Sequence, residues 1–242
     1  MPRPLPADPH FPTSLQAAIV DLDGTLVDTL DDFVDALGAT LAGFGLPPVD
    51  RAFVARTVGK GSEHLLRCTL AEAGADAALF DTAMARYQQQ YRLINGRRAR
   101  VYPGVPEGLA QLSACGLRLA CLTNKPTAFA RELLRVKGLA AYFSHVFGGD
   151  AFARRKPDPL PLLEACAALG SEPRRTLMVG DSCNDAQAAR AAGCPVVLVT
   201  YGYNHGEPIR SVDADGFVDR LDALDVGRQF GAPPPDRAGE RR

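Results

Sequence analysis

Short β-rich apolar runs recur along this 242-residue chain, and Ala- and Leu-rich stretches of helical period fill most of the spaces between them. The runs are AAIV (17–20), LRLACLT (117–123), HVF (145–147), TLMVG (176–180) and PVVLVT (195–200). The helical stretches include Val105–Ala114, Thr127–Lys137, Leu160–Leu169 and Asp185–Ala192. A parallel strand pair cannot be closed by a tight hairpin and needs a crossover, so this alternation predicts an α/β fold with a parallel sheet. The runs lack strict apolar–polar alternation, as expected of strands covered on both faces.

One interval breaks the rhythm. Between AAIV and LRLACLT lie about a hundred residues, several times the dozen or so that a crossover requires. Asp31–Arg100 reads there as helix after helix: DDFVDALGATLAGF, RAFVARTV, SEHLLRCTLAEAG and DTAMARYQQQYRLI, punctuated by Pro47-Pro48, Gly59-Lys60-Gly61 and Gly74. The expectation is a helical module inserted after the first strand. It divides the chain into a leader at 1–14, an α/β core at 15–28 and 101–228, a helical insertion at 29–100 and a tail at 229–242. The Pro-rich leader and the tail QFGAPPPDRAGERR are expected to be disordered.

Composition narrows the function classes. The formal net charge is -1, without the basic excess of a nucleic-acid surface, so nucleic acid is not an expected partner. The same balance gives no broad field to steer an anion, and any anion site must be local. No apolar run approaches the ~20 residues of a membrane span, and the leader lacks a secretory apolar segment. Six cysteines at 68, 115, 121, 166, 183 and 194 form no CxxC pair and read as reduced thiols of a cytoplasmic protein.

In doubly wound sheets, ligands gather at the carboxyl ends of the strands. The first run ends on Asp21-Leu22-Asp23-Gly24-Thr25, the second on Thr123-Asn124-Lys125-Pro126 and the fourth on Gly180-Asp181-Ser182-Cys183-Asn184-Asp185. Arg155-Lys156-Pro157-Asp158-Pro159 precedes another helix. On neighbouring parallel strands these sets share one rim. Carboxylates at that density need a compensating cation, and hard oxygen donors suit Mg²⁺. Asp21 and Asp181 would bind it by side chains, Asp23 through its backbone carbonyl, and Asp185 as a further ligand or an anchor. Lys156 and Thr123 offer the charge and hydroxyl that a phosphoryl group requires. Asp21 is then a candidate nucleophile, and Asp23 a candidate acid for the leaving alkoxide and base for water.

DLDGTLVDT, Thr123-Asn124, Lys156 and GDSCND together resemble the four motifs of the haloacid dehalogenase-like hydrolases, from Ala17 to about Asp219. The resemblance implies a Rossmann-like doubly wound sheet with a helical cap after the first strand. It implies Asp21 as nucleophile and Asp23 as general acid/base. It also implies Thr123, Asn124 and Lys156 as phosphate binders, and Asp181 with Asp185 at the metal. The dehalogenase branch lacks the second aspartate, so Asp23 favours a phosphatase.

Val58-Gly59-Lys60-Gly61, Gly148-Gly149-Asp150 and Tyr201-Gly202-Tyr203-Asn204-His205-Gly206-Glu207-Pro208 resemble bacterial phosphoglycolate phosphatases, although asparagine is common where Lys60 stands. That resemblance implies 2-phosphoglycolate as substrate, with Gly59, Lys60 and Gly61 facing the site from the cap and Lys60 pairing with the substrate carboxylate. The rivals are a related capped phosphatase for a sugar phosphate or pyrophosphate, a phosphomutase, and a phosphoacceptor receiver domain, which would need neither Asp23 nor the insertion. Asp28, Asp31 and Asp32 read as first-turn acids complementing a helix dipole. His64 reads as packing, His205 as a rim residue and Cys183 as a thiol beside the site. Monomer and homodimer both remain open.

Overall fold

The structure, a computed structural model, describes residues 15–230. The leader expected at 1–14 lies outside them. In chain order come β1 (Ala17–Val20), β2 (Val27–Asp28), α1 (Leu30–Ala42), α2 (Arg51–Thr57), α3 (Ser62–Glu72), α4 (Phe80–Ile94) and β3 (Arg100–Val101). Then follow α5 (Val105–Ala114), β4 (Arg118–Leu122), α6 (Thr127–Val136), β5 (His145–Phe147), α7 (Leu160–Leu169) and β6 (Thr176–Gly180). The described chain closes with α8 (Cys183–Ala192), β7 (Val196–Val199), β8 (Gly216–Val218) and α9 (Val226–Phe230).

Six strands form one sheet in the order β5-β4-β1-β6-β7-β8, with every pairing parallel. β1 is central, and Ile19 stands between Ala120 and Met178. From β1 the chain builds outward through β4 and β5, then returns to the other side of β1 with β6. The switch point therefore falls between β1 and β6, where doubly wound folds bind ligands.

Burial explains the missing alternation. Ala18 and Val20 enter one core layer with Leu109, Leu133 and Leu134, while Ala17 and Ile19 enter the opposite layer with Leu162, Ala165 and Ala189. Successive side chains on a strand point to opposite faces, and helices cover both here, so both parities are apolar.

The four helices α1–α4 pack around a third core built on Leu30, Phe33, Leu37, Leu66, Tyr87 and Tyr91. Phe129 from the start of α6 and Tyr203 from the loop after β7 pack against it. The chain enters and leaves this helical unit along one two-residue antiparallel ladder, Val27 opposite Val101 and Asp28 opposite Arg100.

Three features differ from the sequence expectation. β8 adds a sixth strand that three residues within an Asp-rich stretch could not announce. The β2–β3 ladder was invisible because two residues per strand show no period. Gln229 and Phe230, expected in the tail, belong to α9, and Phe230 is buried against the sheet core; the rest of the expected tail, positions 231–242, lies outside the described residues.

Asp32 differs as well. It is fully buried, and its carboxylate accepts from Gly96 N at 2.6 Å, Arg98 N at 2.8 Å and Ala99 N at 3.2 Å. It ties the first turn of α1 to the segment after α4, a role that a dipole argument alone does not capture. Replacing it with alanine strands three backbone donors. Asp32→Ala should destabilise the protein by about 3 kcal/mol, read as a drop in thermal unfolding temperature. A change below about 0.5 kcal/mol would show that the tie contributes nothing.

Candidate active site

β1 ends on Asp21, whose N–H still donates to Val179 O at 2.9 Å and extends the ladder one residue past the strand. Leu22 turns into the core, fully buried, so Asp21 and Asp23 flank it on the rim. The loop then closes on itself, with Gly24 N donating to Val27 O at 2.9 Å. Gly24 holds φ +90°, and a Cβ there would stand 2.2 Å from Asp181 Oδ2. No other residue type allows the two acidic loops to approach so closely.

Asp181 follows β6. Thr25 Oγ1 donates to its Oδ1 at 2.8 Å, and Tyr203 N donates to its Oδ2 at 2.6 Å. Asp185 sits in the first turn of α8. Its Oδ2 accepts from Asp181 N, Ser182 N and Ser182 Oγ at 2.9–3.2 Å, forming a capping box. Its Oδ1 accepts a hydrogen bond from Lys156 Nζ at 2.7 Å.

Lys156, just before α7, is buried at the centre of the cluster. Its ammonium also donates to Leu122 O at 2.8 Å and lies 2.9 Å from Asp21 Oδ1. Burial works against its charge, yet the Asp185 and Asp21 carboxylates more than offset this and hold the ammonium above its ordinary range.

Asp21, Asp181 and Asp185 each present an oxygen within 4.8 Å of the others. One lysine is too little charge for three buried carboxylates. Burial, with repulsion from Asp185, pushes the Asp21 carboxyl up to about 6 despite the pull of Lys156. Burial and the Asp185 and Asp21 charges push Asp181 well above the carboxylate range. Asp21 Oδ1 is buried and makes no hydrogen bond, its approach to Lys156 being an ion pair without bonding alignment. Clustered oxygen donors and missing positive charge fit a hard divalent cation. Of the four expected ligands, Asp23 was assigned through its backbone carbonyl, and its carboxylate accordingly stands apart from this group and faces Lys125.

The other expected residues surround the same cavity, but not all face it. Thr123 lines it, buried, its Oγ1 accepting from Lys125 N at 3.2 Å. Asn124 lines it too, but its amide donates to Gly59 O at 2.9 Å and Lys156 O at 2.8 Å. The side chain expected on phosphate therefore clips the α2–α3 loop to the sheet. Gly59 and Gly61 reach the cavity wall, whereas Lys60 is exposed and outside the lining set. The Lys60 charge falls instead beside His205, which burial first and Lys60 second hold below the usual histidine range.

Two residues were missed. Lys125 is buried, and its Nζ donates to Asp23 at 2.8 and 3.2 Å and to Tyr91 Oη at 2.6 Å. Its place immediately after Thr123-Asn124 was the available signal. Tyr203 joins the two halves of the molecule by accepting from Thr29 N at 3.1 Å and donating to Asp28.

Comparison with known proteins adds three findings. A family model described as haloacid dehalogenase-like hydrolase matches residues 18–199. Curated proteins named phosphoglycolate phosphatase align over most of the chain. That of Thiobacillus denitrificans is 43% identical, covering 87% of this chain and 94% of its own, and that of Rhodospirillum rubrum is 43% identical, covering 93% and 95%. The crystal structure of a protein titled a predicted phosphoglycolate phosphatase, from Haemophilus somnus, superposes with a TM-score of 0.83 at 33% identity, covering 86% of this chain and 95% of that one.

The acidic cluster makes a signed prediction for the metal-free protein. The folded Asp21 carboxyl titrates near 6 and the unfolded one near 3.8. Between those values the native state holds a proton that the unfolded chain has released, so this group's contribution to stability falls as pH rises through the window. In EDTA, Asp21→Asn should gain stability relative to the parent as pH rises from 4 to 7, and Mg²⁺ should reverse that gain. Thermal unfolding of both proteins across pH measures it. A parent–variant difference independent of pH and of Mg²⁺ would contradict the reading.

Proposed function

The chain belongs to the haloacid dehalogenase-like hydrolases, and from that membership and the site geometry we propose that it is a Mg²⁺-dependent phosphatase. It hydrolyses 2-phosphoglycolate to glycolate and inorganic phosphate. The convergence of Asp21, Asp23, Thr123, Lys156 and Asp181 on one cavity at the switch point of the sheet carries the phosphatase assignment. The substrate is drawn from the relatives' names, at 43% identity over nearly their full length.

In this reading an Asp21 carboxylate oxygen attacks phosphorus. The bond from phosphorus to the substrate's ester oxygen breaks, and Asp23 gives that oxygen a proton as it leaves. Lys156 Nζ and the Thr123 hydroxyl hold the phosphoryl oxygens, which gather negative charge as the group transfers. Asp23, now ionised, takes a proton from water. The water oxygen bonds to phosphorus, the acyl-phosphate bond to Asp21 breaks, and phosphate departs. Asp21, Asp181 and Asp185 would hold Mg²⁺, which supplies the positive charge that a buried carboxylate cluster and a phosphate dianion need in order to meet. The Asn124–Gly59 clip and the aromatic wall of α1 and α4 cover the site, protecting the intermediate from premature water.

The cysteines bear on the compartment. All six are free thiols, and Cys166 and Cys194 lie 3.9 Å apart, sulfur to sulfur, without a bond. No helix among the described residues is long and apolar enough to cross a membrane. A reducing compartment, the cytoplasm, suits these thiols.

A panel of phosphate esters assayed with Mg²⁺ should place 2-phosphoglycolate among the best by kcat/KM; a sugar phosphate or pyrophosphate far ahead would remove the substrate while leaving the phosphatase. Asp21→Asn should lower kcat by about 10⁴-fold or more. Asp23→Asn should lower it by about 10²–10⁴-fold and allow a phosphoenzyme to be trapped. Near-normal turnover in Asp21→Asn would overturn the nucleophile.

A further inference from the structure

Phosphoglycolate carries two anionic ends, and the residues around Asp21 account for one. Among the residues lining the cavity, the cations are Lys125 and Lys156. Lys156 lies among Asp21, Asp185 and the Leu122 carbonyl, on the side where phosphorus must sit to be attacked. Lys60, the cation expected from the sequence, is exposed and outside the lining set. We propose that Lys125, with the Tyr91 hydroxyl beside it, is the receptor for the substrate's carboxylate. This deepens the phosphoglycolate reading and rests on it.

Position carries the argument. A general acid must hydrogen-bond the leaving oxygen, so that oxygen lies against Asp23. In a 2-carbon acid, the carbon bearing the leaving oxygen is bonded directly to the carboxylate carbon. The carboxylate therefore lies within a few ångströms of Asp23, and Lys125 Nζ stands 2.8 Å from Asp23 Oδ1. Its second contact, to Oδ2, is the longer at 3.2 Å and is the one an incoming carboxylate would replace. Tyr91 Oη accepts a hydrogen bond from Lys125 Nζ at 2.6 Å, which leaves its own O–H as a donor to the same carboxylate.

The surroundings strengthen such a pair. The Lys125 side chain is 2% exposed, with the Phe33 and Tyr91 ring centroids 4.6 and 4.8 Å from Nζ. The Phe33 ring stabilises the ammonium without competing for its protons, while Tyr91 engages it through Oη. Low polarity also magnifies its attraction for a carboxylate. Leu65 and Phe33 present no hydrogen-bond donor to an anion on that side. The receptor is composite: Lys125 comes from the end of β4, while Phe33 and Tyr91 come from α1 and α4. It is complete only when the helical unit lies on the sheet, so the substrate's own charge would favour the covered state.

The experiment compares 2-phosphoglycolate with ethyl phosphate, which has the same carbon count and no carboxylate, for the parent, Lys125→Met and Tyr91→Phe. Circular dichroism checks folding. The parent should prefer phosphoglycolate by kcat/KM; no preference would sink the phosphoglycolate reading itself. Given a preference, Lys125→Met should reduce the phosphoglycolate-to-ethyl-phosphate ratio about 30-fold, chiefly through KM for the acid, whatever loss both esters share from a displaced Asp23. Tyr91→Phe keeps the ring and removes one donor. It should reduce the ratio about 5-fold, and it keeps the question open to test if the lysine variant does not fold. Equal losses on both esters in the folded variants, with the ratio within about 2-fold of the parent, would show that Lys125 only positions Asp23 and does not read the carboxylate.

Discussion

One buried ammonium surrounded by carboxylates organises this molecule. Lys156 reaches Asp21 at 2.9 Å, Asp185 at 2.7 Å and the Leu122 carbonyl at 2.8 Å. Those contacts bind the end of β1, the end of β4 and the start of α8 to one atom. Burying charge is unfavourable unless it is paired and hydrogen-bonded, and Asp185 and Asp181 have collected further donors. Ser182 caps α8 with Asp185, and Thr25 and Tyr203 satisfy Asp181. The balance is still short of positive charge, and the fold holds that imbalance at the switch point of the sheet. A site with unspent negative charge beside a fixed lysine is suited to receive a metal and a phosphoryl group together.

The helical unit completes a different chemistry. The sheet supplies groups that handle phosphorus, while α1, α3 and α4 supply Phe33, Leu65, Tyr87 and Tyr91 above them. Polar clips at the margin join the two halves: Asn124 to Gly59, and Tyr203 to Asp28 and Thr29. Lys125 connects the two chemistries, one end of its reach on Asp23 and the other on Tyr91. In the proposed mechanism, bond breaking and recognition of the leaving group would meet at this side chain.

Much of this was legible because it rests on local chemistry. Four polar strings after strands or before helices mark the rim, and a run of about seventy residues without a strand marks the insertion. Less legible were properties of distance. Nothing in GDSCND reveals that Gly24 must lack a side chain for Asp181 to approach. Lys60 read as the pocket cation because Val58–Gly61 resembles a cap loop of phosphoglycolate phosphatases, but a loop's sequence does not say which way its side chains turn. Lys125 was passed over because its partners, Asp23 and Tyr91, are 102 and 34 residues away. Asp32 was read by its place at a helix start, whereas its three partners arrive from the far end of the insertion.

The paired two-residue strands at the root of the insertion have a consequence for evolution. Because the chain departs at Val27–Asp28 and comes home beside them at Arg100–Val101, the whole helical unit hangs from one narrow stem. The parallel sheet is closed without it. Changes confined to what hangs there leave Asp21, Lys156, Asp181 and Asp185 on elements of the sheet layer, so the pendant can vary without rebuilding the rim that carries them.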